Sequence, residues 1–219
     1  MLAVMRAFAL AGCLFLLGLA APRPPAVARP QHSTQATVPE IPSALADDTY
    51  AIYSLLMPGQ PFRGMQSGST TRWAIAAETV NFDDMNPRID PRGALKPPPD
   101  NEKPFHEAVE TFLASKYERF RLQQKFHLDQ PYDLLDADQV SALRAAKASP
   151  DPGSRLRGQY AAYPGVTFFS DVYFDAHRDA ALVYMNDWCG ALCSQGQWIY
   201  LEKHGGHWER MSGITRPGA

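Results

Sequence analysis

Three features of the sequence predict an α+β fold. Segments with apolar residues at helical spacing occupy its middle, four short strand-like runs with tight connections occupy its last third, and no strand–helix–strand alternation links them. The expected architecture is a set of helices packed on one face of a small C-terminal antiparallel β-meander, in a single domain running from residue 43 to residue 219.

The N-terminus reads as an export signal. Met1 to Arg6 is a short basic start, Ala7 to Ala21 is an apolar run of 15 residues, and Ala26-Val27-Ala28 supplies an A-x-A cleavage signature, so residues 1–28 are expected to be a signal peptide. The run is shorter than the roughly 20 residues a bilayer span takes. "LAGC", ending at Cys13, has the letters of a lipobox, but the apolar run continues past Cys13, where a lipidated cysteine should end it. Residues 29–42 are polar and contain proline, as a flexible lead-in does. Loss of residues 1–28 removes Arg6 and Arg23 and no acid, which takes the net charge of the 219-residue chain from -2 to -4. Nucleic acid is therefore not an expected partner, since that takes a basic face. The mature chain has no expected transmembrane segment, and its location is periplasmic or extracellular. No cofactor is expected.

Each element has a local cause. Ala51, Ile52, Leu55 and Leu56 recur at helical spacing before Pro58-Gly59 stops the run. "RWAIAAETVNF" has the length and composition of a strand. Asp83 to Pro104 carries six prolines and no periodicity, and reads as a long surface loop. From Pro104 to Phe126 the residues Phe105, Val109, Phe112, Leu113, Tyr117 and Phe120 mark one face of a helix. Asp136 and Gln139 form a capping-box pair opening a further helix that ends at "SPDPG". From Gly165 on, "VTFFSDVYF", "AALVYMNDW", "QWIYLEK" and "HWERM" read as strands, with turns at Asp175 to Asp179 and at Gly205-Gly206. Phe168, Phe174, Tyr184, Trp198 and Tyr200 are expected in the core.

Candidate sites centre on Cys189 and Cys193. In an exported chain a lone pair of cysteines is by default a disulfide, and Gly190 within the short loop lets the side chains meet. The C-x-x-x-C spacing is not the C-x-x-C of thioredoxin-like sites. A zinc alternative joins Cys189 and Cys193 to His204 and His207, but the spacing departs from that of a zinc finger, and one histidine is expected to point away from the other across the glycine turn. "HEAVE", His106 to Glu110, is a broken metalloprotease motif on a solvated helix flank. Asp84, Asn86 and Asp90 offer oxygens, but a calcium loop would need glycine and glutamate where Ile89 and Leu95 stand. Ser67 in "GMQSG" does not fit G-x-S-x-G. Asp171 and Asp175 could flank a cleft as an acid and a base, against the plainer reading of a solvent-facing strand edge. No catalytic residue and no metal are assigned from the sequence.

The C-terminal third resembles a family of uncharacterised secreted bacterial proteins with an "ALVY" strand, a CG-x-LC-x-x-G loop and a closing L-x-K-x-x-G-x-W turn. Cys189, Gly190, Leu192, Cys193 and Gly196 match the loop, and Gly206 and Trp208 match the turn. "YAIYSLL" and "PYDLLDADQV" look similar too, so the resemblance covers most of the mature chain. It departs at Asp171, where the pattern has a basic residue. The resemblance implies export and a cysteine pair that acts as a unit, and implies no activity. The role expected is that of a non-catalytic binding or cell-envelope-associated module, with a protein or envelope partner meeting an open sheet face or the Pro-rich loop. The rivals are a secreted hydrolase using Asp171, Glu202 or the histidines, a thiol-active protein, and a small zinc-binding domain.

Overall fold

The computed structural model describes residues 37–57, 72–151, 153–190 and 193–216, all inside the compact unit Thr37–Ala219. The leader, Cys13 and Ser67 lie outside the described residues. The lead-in was expected to reach Pro42, but Ile41 is buried and Glu40 makes a parallel bridge with Arg121, so the folded unit starts earlier, at Thr37.

Helix α1 spans Ser43–Leu56 and buries Ala46, Thr49, Tyr50, Ile52 and Tyr53 at three- and four-residue spacing. Ala51 and Leu55, expected on that face, are exposed. Strand β1 is Trp73–Ala76. The Pro-rich segment that follows is not a free surface loop. It contains a 3-10 turn at Phe82–Asp84 and the one-turn helix α2, Pro91–Ala94. Met85, Ala94 and Leu95 are buried, Tyr184 and Trp198 bind the segment through Asn86 and the Ile89 carbonyl, and Lys96 N–H donates to the Ile214 carbonyl at 2.7 Å.

Helix α3, Glu102–Ser115, buries Phe105, Ala108, Val109 and Phe112. The apolar pattern runs on to Phe126, but the helix ends in a turn, with Glu118 N–H donating to Ser115 O at 2.8 Å, and the amides beyond it are used elsewhere. Phe120 N–H donates to Thr79 Oγ1 at 2.8 Å, Arg121 N–H to Pro39 O at 2.7 Å and Leu122 N–H to Ala77 O at 2.8 Å. An amide donates once, and these donate across the fold. Tyr117, expected on the buried face, is exposed. Strand β2, Tyr132–Leu135, leads directly into α4, Ala137–Ala148, whose capping box is present: Asp136 Oδ1 accepts from Gln139 N–H at 2.8 Å and Gln139 Oε1 from Asp136 N–H at 3.0 Å. Helix α5 is Arg155–Gln159, with Ser154 as its cap.

The remaining strands are β3 Val166–Phe169, β4 Tyr173–Phe174, β5 Ala180–Gly190, β6 Cys193–His204 and β7 His207–Arg210. "VTFFSDVYF" is thus two strands. The break falls at Ser170, whose hydroxyl accepts the Tyr184 N–H at 2.8 Å and donates to the Asp171 carbonyl at 2.7 Å. The seven strands form one mixed sheet in the order β2-β1-β3-β5-β6-β7, with β4 also on β5. β1 runs parallel to β2 and β3, and the other pairs are antiparallel.

The α+β class holds, but the helices do not sit on one face of the sheet. Along β5 the side chains alternate. Ala181, Val183 and Met185 pack with Tyr50, Ile52 and Tyr53 of α1, whereas Ala180, Leu182 and Tyr184 pack with Phe105, Val109 and Phe112 of α3. On the α3 side α4 adds its own contacts, Val140 and Leu143 against Ala74, Ala76 and Val166. Helices therefore pack on both faces of the sheet and not on one. Among the described residues no helix is long and apolar enough to cross a membrane.

Candidate functional site

On the face shared by α3 and α4, a groove of about 700 Å³ opens where the parallel strands β1 and β2 end. One wall is the chain leaving β1, including Glu78, Thr79 and Asp84, and the other is the first turns of α4, including Ser141 and Arg144. The floor is the even-numbered face of β5 with Phe168 of β3. Such a position, at the carboxyl ends of parallel strands beside a helix start, is where open α/β sheets bind ligands, because the strands diverge there and leave a crevice.

The floor is held rigid. Tyr184 OH donates to the Asn86 carbonyl at 2.7 Å and accepts the Asn86 N–H at 3.0 Å. Asn186 Nδ2 donates to the same carbonyl at 3.2 Å, and its Oδ1 accepts from Ser194 Oγ at 3.3 Å. The acids of the walls are already engaged: Asp84 with Arg119 at 2.6 Å, Glu78 with Arg121 at 3.8 Å, and Asp136 in the α4 cap.

Arg144 is held differently. Its guanidinium lies 5.1 Å from the Phe168 ring and 5.3 Å from the Trp188 ring, and it has no carboxylate partner among the described residues. Cation–π attraction restrains the plane of the guanidinium without using its N–H edge. That leaves a positioned fork of donors free for a planar carboxylate, a geometry that an arginine can offer and a lysine cannot.

Cys189 and Cys193 stand at disulfide distance, with Cα atoms 5.1 Å apart, at the tip of the β5–β6 hairpin. Gly190 and Ser194 beside them line the groove, so the sulfur pair clamps one of its edges. Reduction is expected to lower unfolding stability by about 2 kcal/mol, the scale for so short a ring. Urea denaturation with and without reductant measures it, and a Cys189→Ser/Cys193→Ser double variant should show no reductant effect.

The four residues of the zinc alternative do not come together. Cys193 opens β6 and His204 closes it. The histidines were expected to point apart, yet His204 and His207 are register partners across Gly205-Gly206, so their side chains lie on the same face. His204 Nε2 is 3.4 Å from Glu202 Oε2. Glu202 is buried and accepts from Asn101 Nδ2 at 2.9 Å. Among the described residues no group of three or more His, Cys, Asp or Glu could hold a metal ion.

Asp171 and Asp175 are not the solvent-facing strand edge of the plainer reading. Asp175 is buried and caps the turn, its Oδ1 accepting from the Asp179 and Ala180 N–H groups at 2.8 Å and its Oδ2 from the His177 N–H at 3.2 Å. Asp171 sits in the break between β3 and β4, where burial pushes its carboxyl up to about 7, opposed by the Val172 N–H and reinforced by Glu118. The two carboxylates do not share a cleft with the groove floor. His106 and Glu110 lie on an exposed flank, as expected. Asp84 and Asp90 are committed to Arg119 and Arg92, and Asn86 to Tyr184, so this trio makes no oxygen cage.

Sequence reasoning missed Arg144, because Phe168 reads as core and an arginine on a helix reads as surface. The available signal was charge distribution: Arg144, Lys147, Arg155 and Arg157 fall close together in an acidic chain. Comparison with models of known families, with curated proteins and with solved structures finds no match for this chain.

Proposed function

We propose that the chain is an exported, non-catalytic binding module whose groove takes a small ligand bearing a carboxylate. The observation that carries the reading is Arg144: a guanidinium pinned by two aromatic rings, free of any carboxylate among the described residues, on the wall of a groove large enough for a small molecule. Export is supported by the signal-like leader and by a cysteine pair at disulfide distance. The hydrolase reading, as far as it rests on Asp171, is favoured by the raised carboxyl of that residue. That carboxylate accepts from its own neighbour, Val172 N–H, at 2.8 Å, and Asp171 is not among the residues lining the groove.

Trp188 lies under Arg144, so its emission reports on occupancy. Titration with glucuronate, glutarate and uncharged glucose is the test. A carboxylate should change Trp188 emission where glucose does not, Arg144→Ala should weaken the response about tenfold, the loss of one charge-assisted hydrogen-bonded contact, and Arg144→Lys should restore only part of it. Equal binding by wild type and Arg144→Ala, or a response to glucose alone, would remove the basis of the reading.

A further inference from the structure

A second recess, of about 350 Å³, lies between the end of α4 and α5 and is lined by Ala146, Lys147, Arg157, Gly158, Tyr160 and Ala161. The charged groups among these are two cations and no acid. Neither has a carboxylate in ion-pair range among the described residues. Arg157 Nη1 makes one long contact, 3.5 Å to the Ser149 carbonyl, and the Lys147 ammonium has no hydrogen-bond partner among the described residues. The nearest acid in sequence, Asp151, accepts the Gly153 N–H at 2.9 Å instead.

The stretch around the recess is basic in an acidic protein. Between Gln139 and Ser170 stand Arg144, Lys147, Arg155 and Arg157 against Asp151 alone. Holding an ammonium half out of water beside a guanidinium is unfavourable twice over, through lost hydration and through like-charge repulsion. Both effects hold the Lys147 ammonium below the usual lysine range, burial first and Arg157 second. An oxyanion placed between the two would reverse both. Gly158, which lines the recess, is exposed and has open space beside it.

We propose that this recess is an oxyanion site for a phosphate group, with Arg157 supplying a fork of two N–H donors and Lys147 a mobile point charge. The group could arrive as free phosphate or on a phosphate monoester, which share the chemistry read here. The site is separate from the groove and does not depend on the ligand assigned there.

The test uses the mature chain in phosphate-free buffer at low ionic strength, titrated with inorganic phosphate and, in a parallel arm, with glucose 6-phosphate, each against chloride at equal ionic strength. Thermal midpoint and backbone amide NMR shifts are the readouts. Phosphate should raise the midpoint and move the amides of α5, and chloride should do neither. Lys147→Gln and Arg157→Gln should each weaken phosphate binding about tenfold or more, while melting no lower than wild type without phosphate, because a repulsion has been removed. Arg144→Ala should leave the phosphate response intact, which separates this site from the groove. Tighter binding of the ester assigns the site to an organic phosphate, and tighter binding of the free ion assigns it to inorganic phosphate. A shift reproduced by chloride, a response that survives in the Lys147→Gln/Arg157→Gln double variant, or single variants that melt below wild type without phosphate would overturn the proposal.

Discussion

Gly196→Ala is expected to lower the stability of the fold by about 3 kcal/mol, toward the upper end of what overpacking costs. Gly196 pairs with Asn186 across β5 and β6, and a Cβ there would fall on the Tyr184 hydroxyl and the Asn86 carbonyl. The variant must push back a backbone carbonyl and the phenol that bonds it. Tyr184 OH would lose its hold on Asn86, leaving a partly buried donor and acceptor unsatisfied, which is costly in itself. Denaturant unfolding measures the loss. A second readout follows from the same contact: Tyr184, Asn86 and Asn186 all line the groove, so a Gly196→Ala protein that still folds should bind carboxylates more weakly at an unchanged Arg144. A variant as stable as wild type would show that Gly196 is free to accept a side chain and that the Tyr184 contact is not what holds the Pro-rich segment down.

That contact also shows where the sequence was legible. Gly196 was readable as part of the cysteine-loop pattern, but the reason for it lies in the distant Asn86, and no local rule connects the two. Hairpins are local, so β5, β6 and β7 and the Gly205-Gly206 turn, with φ of 59° and 84°, could be read directly from alternation and turn chemistry. The α4 cap was legible for the same reason, since Asp136 and Gln139 bond each other within one turn. The parallel pairing was not, although β1 and β3 lie in segments that read as strands. β2 is four residues, "YDLL", with no alternation of its own, and it becomes a strand only because Trp73 to Ala76 pairs along it. The helix after Pro104 was read too long because an apolar period persists past Ser115, while the chain turns at Glu118 and the amides of Phe120, Arg121 and Leu122 bond Thr79, Pro39 and Ala77. The groove is built from such non-local pairs: the parallel strand ends, the strap from Asp84 to Asn86, and the rings of Phe168 and Trp188 that receive Arg144. Local signals therefore identify its floor and the α4 wall, but not the wall formed by the chain leaving β1 or the way these parts meet.

Asp171→Asn is expected to do the opposite of most buried substitutions and stabilise the protein at alkaline pH, by about 3 kcal/mol at pH 8. The Asp171 carboxyl titrates near 7 in the fold, against an ordinary value of 3.8, chiefly because burial penalises its charge and secondarily because Glu118 is near. A folded-state acid with a raised pKa holds its proton where the unfolded chain has already released it. The folded state then binds more protons than the unfolded one between about pH 4 and pH 7, and stability falls through that window as pH rises. Below pH 4 both states are protonated and no penalty exists; above pH 7 it is complete. The full difference would exceed 4 kcal/mol at about 1.4 kcal/mol for each tenfold change, and partial contact of Asp171 with solvent reduces it toward about 3 kcal/mol. An asparagine keeps an oxygen for the Val172 N–H and removes the charge. Urea unfolding at pH 4, 6 and 8 should therefore show no gain, a partial gain and the full gain. A constant difference at all three values would mean that Asp171 is solvated and ordinary. The location gives the result functional weight. The neighbouring Ser170 carbonyl accepts from Tyr53 OH at 2.7 Å, and the Ser170 hydroxyl accepts the N–H of Tyr184, whose ring reaches the groove. A carboxylate that weakens the fold at neutral pH, kept at the strand break beside Ser170, is the residue whose replacement would separate a stability role from a binding one: carboxylate affinity unchanged in the more stable Asp171→Asn protein leaves Arg144 as the determinant, and affinity lost with stability gained places Asp171 in the site's own electrostatics.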